Sequence, residues 1–134
     1  MFRWATKIIL AALLLTGCGG PAVRNHVEDL DRAIQEYAYA LRWQRKEDAV
    51  SWHLNRDGSR PKIDASSMDR IRVTGFTIKD KSLDADMKGA TVVGEMEYYH
   101  NEYGTLKKIE YRQSWWFEEK SKKWFVDNPF PEFK

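Results

Sequence analysis

The chain has 134 residues, a length typical of one domain, and its 22 basic and 20 acidic residues give a formal net charge of +2. A single cysteine excludes an internal disulfide. Both excess charges, Arg3 and Lys7, lie in the first 17 residues, so the remainder carries 20 residues of each sign. That balance argues against a nucleic-acid-binding domain, which normally presents a basic face.

Residues 1–17 differ in composition from the rest of the chain. Arg3 and Lys7 precede an unbroken apolar run, IILAALLL, at residues 8–15. A basic segment followed by a short apolar segment and small residues is typical of a secretory signal peptide. The run is much shorter than the roughly 20 residues that a membrane-spanning helix needs. We therefore predict that residues 1–17 are a signal peptide.

The segment ends in LTGC, and Cys18 is the only cysteine of the chain. This sequence resembles the lipobox of bacterial lipoproteins, Leu-small-Gly-Cys. The resemblance implies cleavage before Cys18, a diacylglycerol on its thiol and a fatty acid such as palmitate on its amine. An ordinary signal peptide with an incidental cysteine, or a buried N-terminal helix, are the alternatives.

Lipidation would make the membrane the first partner of the chain. Residues 18–24 are predicted to be a short lipid-anchored tether, and residues 25–134 a single domain. Gly19 stands where inner-membrane lipoproteins of Gram-negative bacteria usually have Asp. The resemblance therefore implies an outer-membrane location facing the periplasm, if the host has two membranes.

Two helices are predicted first. Asn25 is a favoured N-cap and Glu28 follows three residues later, as in a capping box. Apolar residues then recur at spacings of three and four, which predicts one buried helix stripe: Val27, Leu30, Ile34, Tyr37 and Leu41. The charged residues 45–48 predict a break, residues 49–54 a short second helix, and residues 55–67 a loop.

From Met68 onward the apolar period changes to two, which predicts strands. The first strand contains Ile71 and Val73, and a change of parity at Gly75 predicts a bulge. Residues 80–89 are predicted to be a polar connection and residues 101–104 a hairpin turn. The inward faces of the next two strands are Ala90, Val92, Gly94, Met96 and Tyr98, then Ile109, Tyr111, Gln113, Trp115 and Phe117. Residues 124–126 form the last strand.

Helices followed by strands indicate an α+β fold. We expect a long and a short helix packed on one face of a curved antiparallel sheet of about four strands.

The order of elements resembles the nuclear transport factor 2-like superfamily, a cone-shaped, cystatin-like α+β fold. Three passages carry the resemblance: AIQEYAYAL with the later EDAV, then ATVVGEMEY, then WWF with KWFVD. The resemblance implies an opening helix pair, a long central strand and a closing hairpin. Families of this fold include isomerases, dehydratases, hydrolases and non-catalytic binding modules, so the fold alone does not assign a function.

Enzymes of this fold act inside the cone, and four polar residues are predicted to line that space here: Tyr98, Tyr111, Gln113 and His53. The alternative is structural, with tyrosines at a helix–sheet contact and a half-buried histidine at a helix end. On the other face of the sheet, Trp116 and Arg112 are the candidates for an exposed contact with an envelope protein or a second copy of the chain.

No catalytic, metal-ligand or cofactor motif is recognisable. The three histidines are far apart in sequence, and no second ligand pair lies at metal spacing. We therefore expect no metal or cofactor, and an enzymatic role stays open. The first hypothesis is a non-enzymatic, lipid-anchored binding or accessory module. The alternatives are a small apolar ligand or isomerase- or dehydratase-like catalysis in the cone, and a protein–protein scaffold using the sheet face.

Overall fold

The structure is a computed structural model that describes residues 21–134, with side chains from His26 onward. The predicted signal peptide, the lipobox and Cys18 lie outside the described residues. Within these residues, two α-helices, one 3₁₀ helix and four strands follow one another. The predicted α+β class is confirmed: a long and a short helix accompany a curved, unclosed antiparallel sheet of four strands.

Helix α1 spans Pro21–Arg42 and begins four residues before the predicted N-cap at Asn25. The last four residues of the predicted tether are thus helical. Proline fits the first helical position because its missing N–H would have no intrahelical partner there. The predicted stripe is buried from Leu30 onward, and α1 packs against β1 and β4.

Helix α2 spans Lys46–Ser51, three residues earlier than predicted. Of the predicted break at residues 45–48, Arg45 lies between the helices and the other three residues are helical. Glu47 and Asp48 lie in the first turn of α2, where the helix dipole favours negative charge. Residues 43–45 separate the two helices, and Gln44 there has a φ of 56°. The Gln44 amide then donates to the carbonyl oxygens of Met68 and Ile71, both at 2.7 Å.

The sheet is an antiparallel meander in the order β1-β2-β3-β4. Its strands are β1 (Ile71–Leu83), β2 (Gly89–His100), β3 (Leu106–Glu118) and β4 (Lys123–Val126), and the 3₁₀ helix Ser66–Arg70 precedes β1. A register shift between Val73 and Gly75 confirms the predicted bulge. Strand β1 is longer than predicted because its polar end, up to Leu83, pairs with the start of β2.

The core lies between α1 and the inner face of the sheet. The alternation predicted for β2 and β3 is confirmed, since Val92, Met96 and Trp115 are fully buried. Gly94 shares this inner face, and the Phe76 ring of β1 covers it. A side chain does not fit there, because a Cβ on residue 94 would lie 2.2 Å from that ring. None of the helices in residues 21–134 combines the length and apolar character required to cross a membrane.

Candidate functional site

The four polar residues predicted for the interior are all buried. His53 and Gln113 are each 1% exposed, Tyr98 is 1% exposed and Tyr111 is 7% exposed. His53 follows α2 and bridges to Val126 of β4, while the other three project from the inner faces of β2 and β3. The structure brings His53 and Tyr111 into one hydrogen-bonded group and leaves Tyr98 and Gln113 in separate contacts.

His53 is held at both ring nitrogens. Its Nδ1 lies 3.0 Å from the carbonyl oxygen of Asn128, and its Nε2 lies 2.6 Å from the hydroxyl of Tyr37. A carbonyl only accepts, so Nδ1 carries the proton and Nε2 is the acceptor. The Tyr37 hydroxyl therefore donates to Nε2.

Tyr111 and the Asn128 side chain complete a closed circuit. The Tyr111 hydroxyl lies 3.0 Å from the Tyr37 oxygen, and the Asn128 Nδ2 donates to the Tyr111 oxygen, also at 3.0 Å. Because Tyr37 already donates to His53, Tyr111 is the donor in the tyrosine pair. We call the group Tyr37, His53, Tyr111 and Asn128 the polar ring, since donation passes from Asn128 through both tyrosines and the histidine and returns to Asn128.

Burial keeps the polar ring uncharged. Desolvation lowers the pKa of His53 to about 4, and the hydrogen bond to the Asn128 carbonyl offsets only part of this. Desolvation, with the neighbouring Tyr111 as a smaller cause, raises the pKa of Tyr37 well above its usual 10. Desolvation also raises the pKa of Tyr111 to about 12. At neutral pH all three groups are therefore neutral.

Tyr98 lies apart from the polar ring, under the end of the chain. Its hydroxyl donates to the carbonyl oxygen of Lys134 at 2.8 Å and accepts from the Lys134 N–H at 3.1 Å. The ring of Phe133 packs edge-on against it, with centroids 5.2 Å apart. Tyr98 thus fastens the C-terminal residues to the sheet.

The side-chain amide of Gln113 has a hydrogen-bond partner for its oxygen but none for its nitrogen among the described residues. Its Oε1 accepts a hydrogen bond from Trp115 Nε1 at 2.7 Å. The Nε2 group is buried without a partner among the described residues. If the Gln113 amide were rotated by 180°, its NH₂ group would face the Trp115 N–H, and both are donors. The hydrogen bond to Trp115 therefore fixes the orientation of the amide. A buried amide without a partner is destabilising by about 1–3 kcal/mol.

Residues 127–134, here called the tail, pack against the polar ring. Phe130 packs on the His53 ring at 5.5 Å between centroids, and both Pro131 and Phe133 are buried. Asn128 accepts a hydrogen bond from His53 through its carbonyl oxygen. The Pro129 carbonyl oxygen lies 3.2 Å from the Tyr111 hydroxyl, whose one proton is directed to Tyr37. The tail therefore covers the polar ring on the side of His53 and Tyr111.

One groove borders the tail, and a second adjoins it through Pro61 and Asp64, which line both. The first has a volume of about 610 Å³ and is lined mainly by the tail and the 55–67 loop. The other, about 670 Å³, lies beside α2, and His53 and Arg60 line it. Of the four residues predicted for the interior, only His53 lines either of these two grooves.

The outer face of the sheet differs from the prediction at Trp116. This residue is only 9% exposed, and its Nε1 donates to the Leu54 carbonyl at 2.8 Å. Phe125 packs beside it, and Arg60 lies over the Phe125 ring at 5.7 Å. The predicted exposure of Trp116 is therefore wrong, because the segment after α2 folds over the end of β3. Arg112 is exposed, and a partner at this face stays a prediction.

Sequence reasoning missed Tyr37 and Asn128. Tyr37 stood in the apolar stripe of α1, where its hydroxyl carries no separate signal. Asn128 precedes a proline, and an Asn-Pro pair by itself indicates only a turn. Their contacts join residues 16 to 75 positions apart. Within the described residues, no three His, Cys, Asp or Glu side chains converge as metal ligands.

No protein-family model matches the chain, and no curated protein matches it significantly. The helix packed on a four-stranded antiparallel sheet is compatible with the nuclear transport factor 2-like fold. Function must therefore be argued from the chain's own residues.

Proposed function

We propose that the chain is a lipid-anchored protein of the cell envelope whose α+β domain is a non-catalytic binding or accessory module. In a host with two membranes, the proposed location is the outer membrane, facing the periplasm, because Gly19 and not Asp follows the cysteine. The similarity to nuclear transport factor 2-like domains is part of this proposal and is supported by the order of elements.

The observation that carries the non-catalytic assignment is the closed polar ring. The histidine and the tyrosine that could act as acid or base are hydrogen-bonded to other protein groups: His53 to Tyr37 and Asn128, and Tyr111 to Tyr37. A histidine with a pKa of about 4 is a weak base at neutral pH. The tail also covers the ring. This arrangement favours a structural interior and a functional exterior.

Replacement of Cys18 by Ser tests the anchor. The full chain should change from the membrane fraction to the soluble fraction, and labelling with an alkyne fatty acid should disappear. Thr16→Ser is the matched control, because it keeps a small residue in the lipobox-like sequence. Equal membrane retention and labelling of Cys18→Ser and the unaltered chain would contradict the anchor.

One observation favours a second candidate, a small apolar ligand bound in the cone: the groove of about 670 Å³ reaches His53. A fluorescent probe of apolar cavities, anilinonaphthalene sulfonate, separates the two candidates. We expect no enhancement with the native chain and enhancement with Phe130→Ala, which uncovers His53. Saturable binding of one probe per native chain, abolished by Tyr111→Trp, would favour the second candidate.

A further inference from the structure

A shallow trough runs along the solvent side of α1, formed by two adjoining grooves. The first, about 400 Å³, lies between α1 and the β3–β4 turn, and Asp29 and Lys123 line it. The second, about 460 Å³, lies between α1 and α2, and Tyr39 lines it. Both include Glu36 and Trp52, so they are continuous. This α1 trough, from Asp29 to Tyr39, is about 15 Å long at the helical rise.

Aromatic rings lie along the α1 trough. Trp52 is half-buried, and its packing against Trp115, with centroids 5.9 Å apart, fixes its orientation. Tyr39 is 55% exposed and lies beside Trp43, which is 59% exposed, with ring centroids 6.0 Å apart. A ring that is held in place and still partly open to water, as Trp52 is, can stack on a flat ligand without a large loss of side-chain freedom.

Between the rings the α1 trough is polar and almost neutral. Arg32 pairs with Asp29 at 3.3 Å, and Arg45 pairs with Asp48 at 2.7 Å. Glu36 lies at the junction of the two grooves, and no cation of residues 26–134 forms an ion pair with it. The centre of the trough therefore offers a carboxylate with both oxygens available.

We infer that the α1 trough binds a neutral glycan chain. The C–H groups on one face of a pyranose ring stack on the electron-rich face of an aromatic ring, which Trp52 and Tyr39 provide. A carboxylate accepts hydrogen bonds from two neighbouring hydroxyl groups, which Glu36 provides. The elongated shape accommodates several linked sugar rings.

Other polymers fit the α1 trough less well. Nucleic acid and other polyanions require an excess of unpaired basic residues. Three of the four basic residues that line the trough are paired with carboxylates, and the charge of the fourth, Lys123, is matched by that of Glu36. An extended peptide binds best along a free strand edge, whereas the trough wall is largely α-helical, with its backbone groups already hydrogen-bonded. Side-chain contacts from rings and a carboxylate remain, and these suit a sugar.

This inference rests on the proposed function, because it names the ligand of an anchored, non-catalytic module. Cys18 precedes α1 by only three residues, so a lipid there would hold the α1 trough near the bilayer surface. The glycan of the inference is a polymer of the envelope space beside that surface. Failure of glycan binding would leave the anchor and dye experiments above unaffected.

Calorimetric titration of the full chain in detergent micelles tests the inference. The probes are two neutral oligosaccharides, a β-1,4-linked tetramer of N-acetylglucosamine and the corresponding tetramer of glucose. We expect saturable binding of at least one, with less than about a two-fold change in Kd when salt is raised, because the ligand carries no charge. Binding of neither, up to the solubility limit, would overturn the inference.

Matched substitutions locate the binding site. Tyr39→Ala and Glu36→Gln should each weaken binding about ten-fold or more, and both positions are exposed enough to leave the fold intact. The controls are Tyr103→Ala and Glu102→Gln at the far hairpin, where Tyr103 is 75% exposed. Equal affinity of the trough variants and the unaltered chain, or equal weakening by the controls, would refute the assignment.

Discussion

Acid should destabilise the domain through His53 before it protonates the carboxylates. The unfolded chain would protonate this histidine with a pKa near 6.5, whereas burial lowers the pKa in the folded state to about 4. Between these values the unfolded state binds more protons than the folded state. Linkage then requires the free energy of unfolding to fall as the pH falls.

The magnitude follows from the two pKa values of His53. Their separation of about 2.5 corresponds to about 3 kcal/mol at 1.36 kcal/mol per pH unit. About 2 kcal/mol of this is lost between pH 7.5 and pH 5.0. Glu119, whose pKa Lys88 and Lys122 lower to about 2, contributes its own acid sensitivity below about pH 4.5, so the upper window isolates the histidine.

Urea unfolding followed by tryptophan fluorescence, on the full chain carrying Cys18→Ser, measures this dependence. The free energy of unfolding should decline steadily from pH 7 to pH 5. His53→Gln should abolish the decline, whereas His100→Gln, a change at the half-exposed end of β2, should retain it. A flat profile, or an NMR titration that gives His53 a pKa near 6.5, would refute the buried, neutral ring.

Two further substitutions test packing and the polar ring. Gly94→Ala should lower the free energy of unfolding by about 1–3 kcal/mol, because its Cβ would meet the Phe76 ring at 2.2 Å; Gly75→Ala, with no atom within 4 Å of the new Cβ, is the control, and an equal effect of both would contradict the clash. Tyr37→Phe should cost about 1–3 kcal/mol in urea unfolding because it removes the donor to the buried histidine nitrogen. Tyr103→Phe, 75% exposed, should cost almost nothing, and a neutral Tyr37→Phe would argue against the ring.

The fold was predictable because its signals are local. Spacings of three and four mark the buried stripe of α1 through Ile34 and Leu41, and alternation marks the inner face of β2 through Val92 and Met96. Each pattern depends only on helix or strand geometry. The change of parity at Gly75 marked the bulge for the same reason.

The contacts around the site were not predictable in the same way. The polar ring joins α1, the short segment after α2, β3 and the tail. The spacing of residues within one of these segments gives no information about its contacts with the others. Asn128 acts through both its side chain and its carbonyl, whereas an Asn-Pro pair alone suggests a turn. Trp116 was placed on the correct face of the sheet. Its burial depends on Leu54, which was predicted to end the second helix and instead lies beyond it, against Trp116.

Helix α1 lies between the polar ring, which we assign to stability, and the α1 trough, which we propose binds a glycan. The independence of these two roles is itself testable. Tyr37 belongs to the polar ring and is fully buried, whereas its near neighbours Glu36 and Tyr39 line the α1 trough. If the interior only stabilises the fold, Tyr37→Phe should reduce the free energy of unfolding and leave the oligosaccharide Kd within about two-fold, well under one 1.4 kcal/mol step. A ten-fold loss of affinity in folded Tyr37→Phe would instead show that the ring takes part in binding, and the assignment of a purely structural interior would fail.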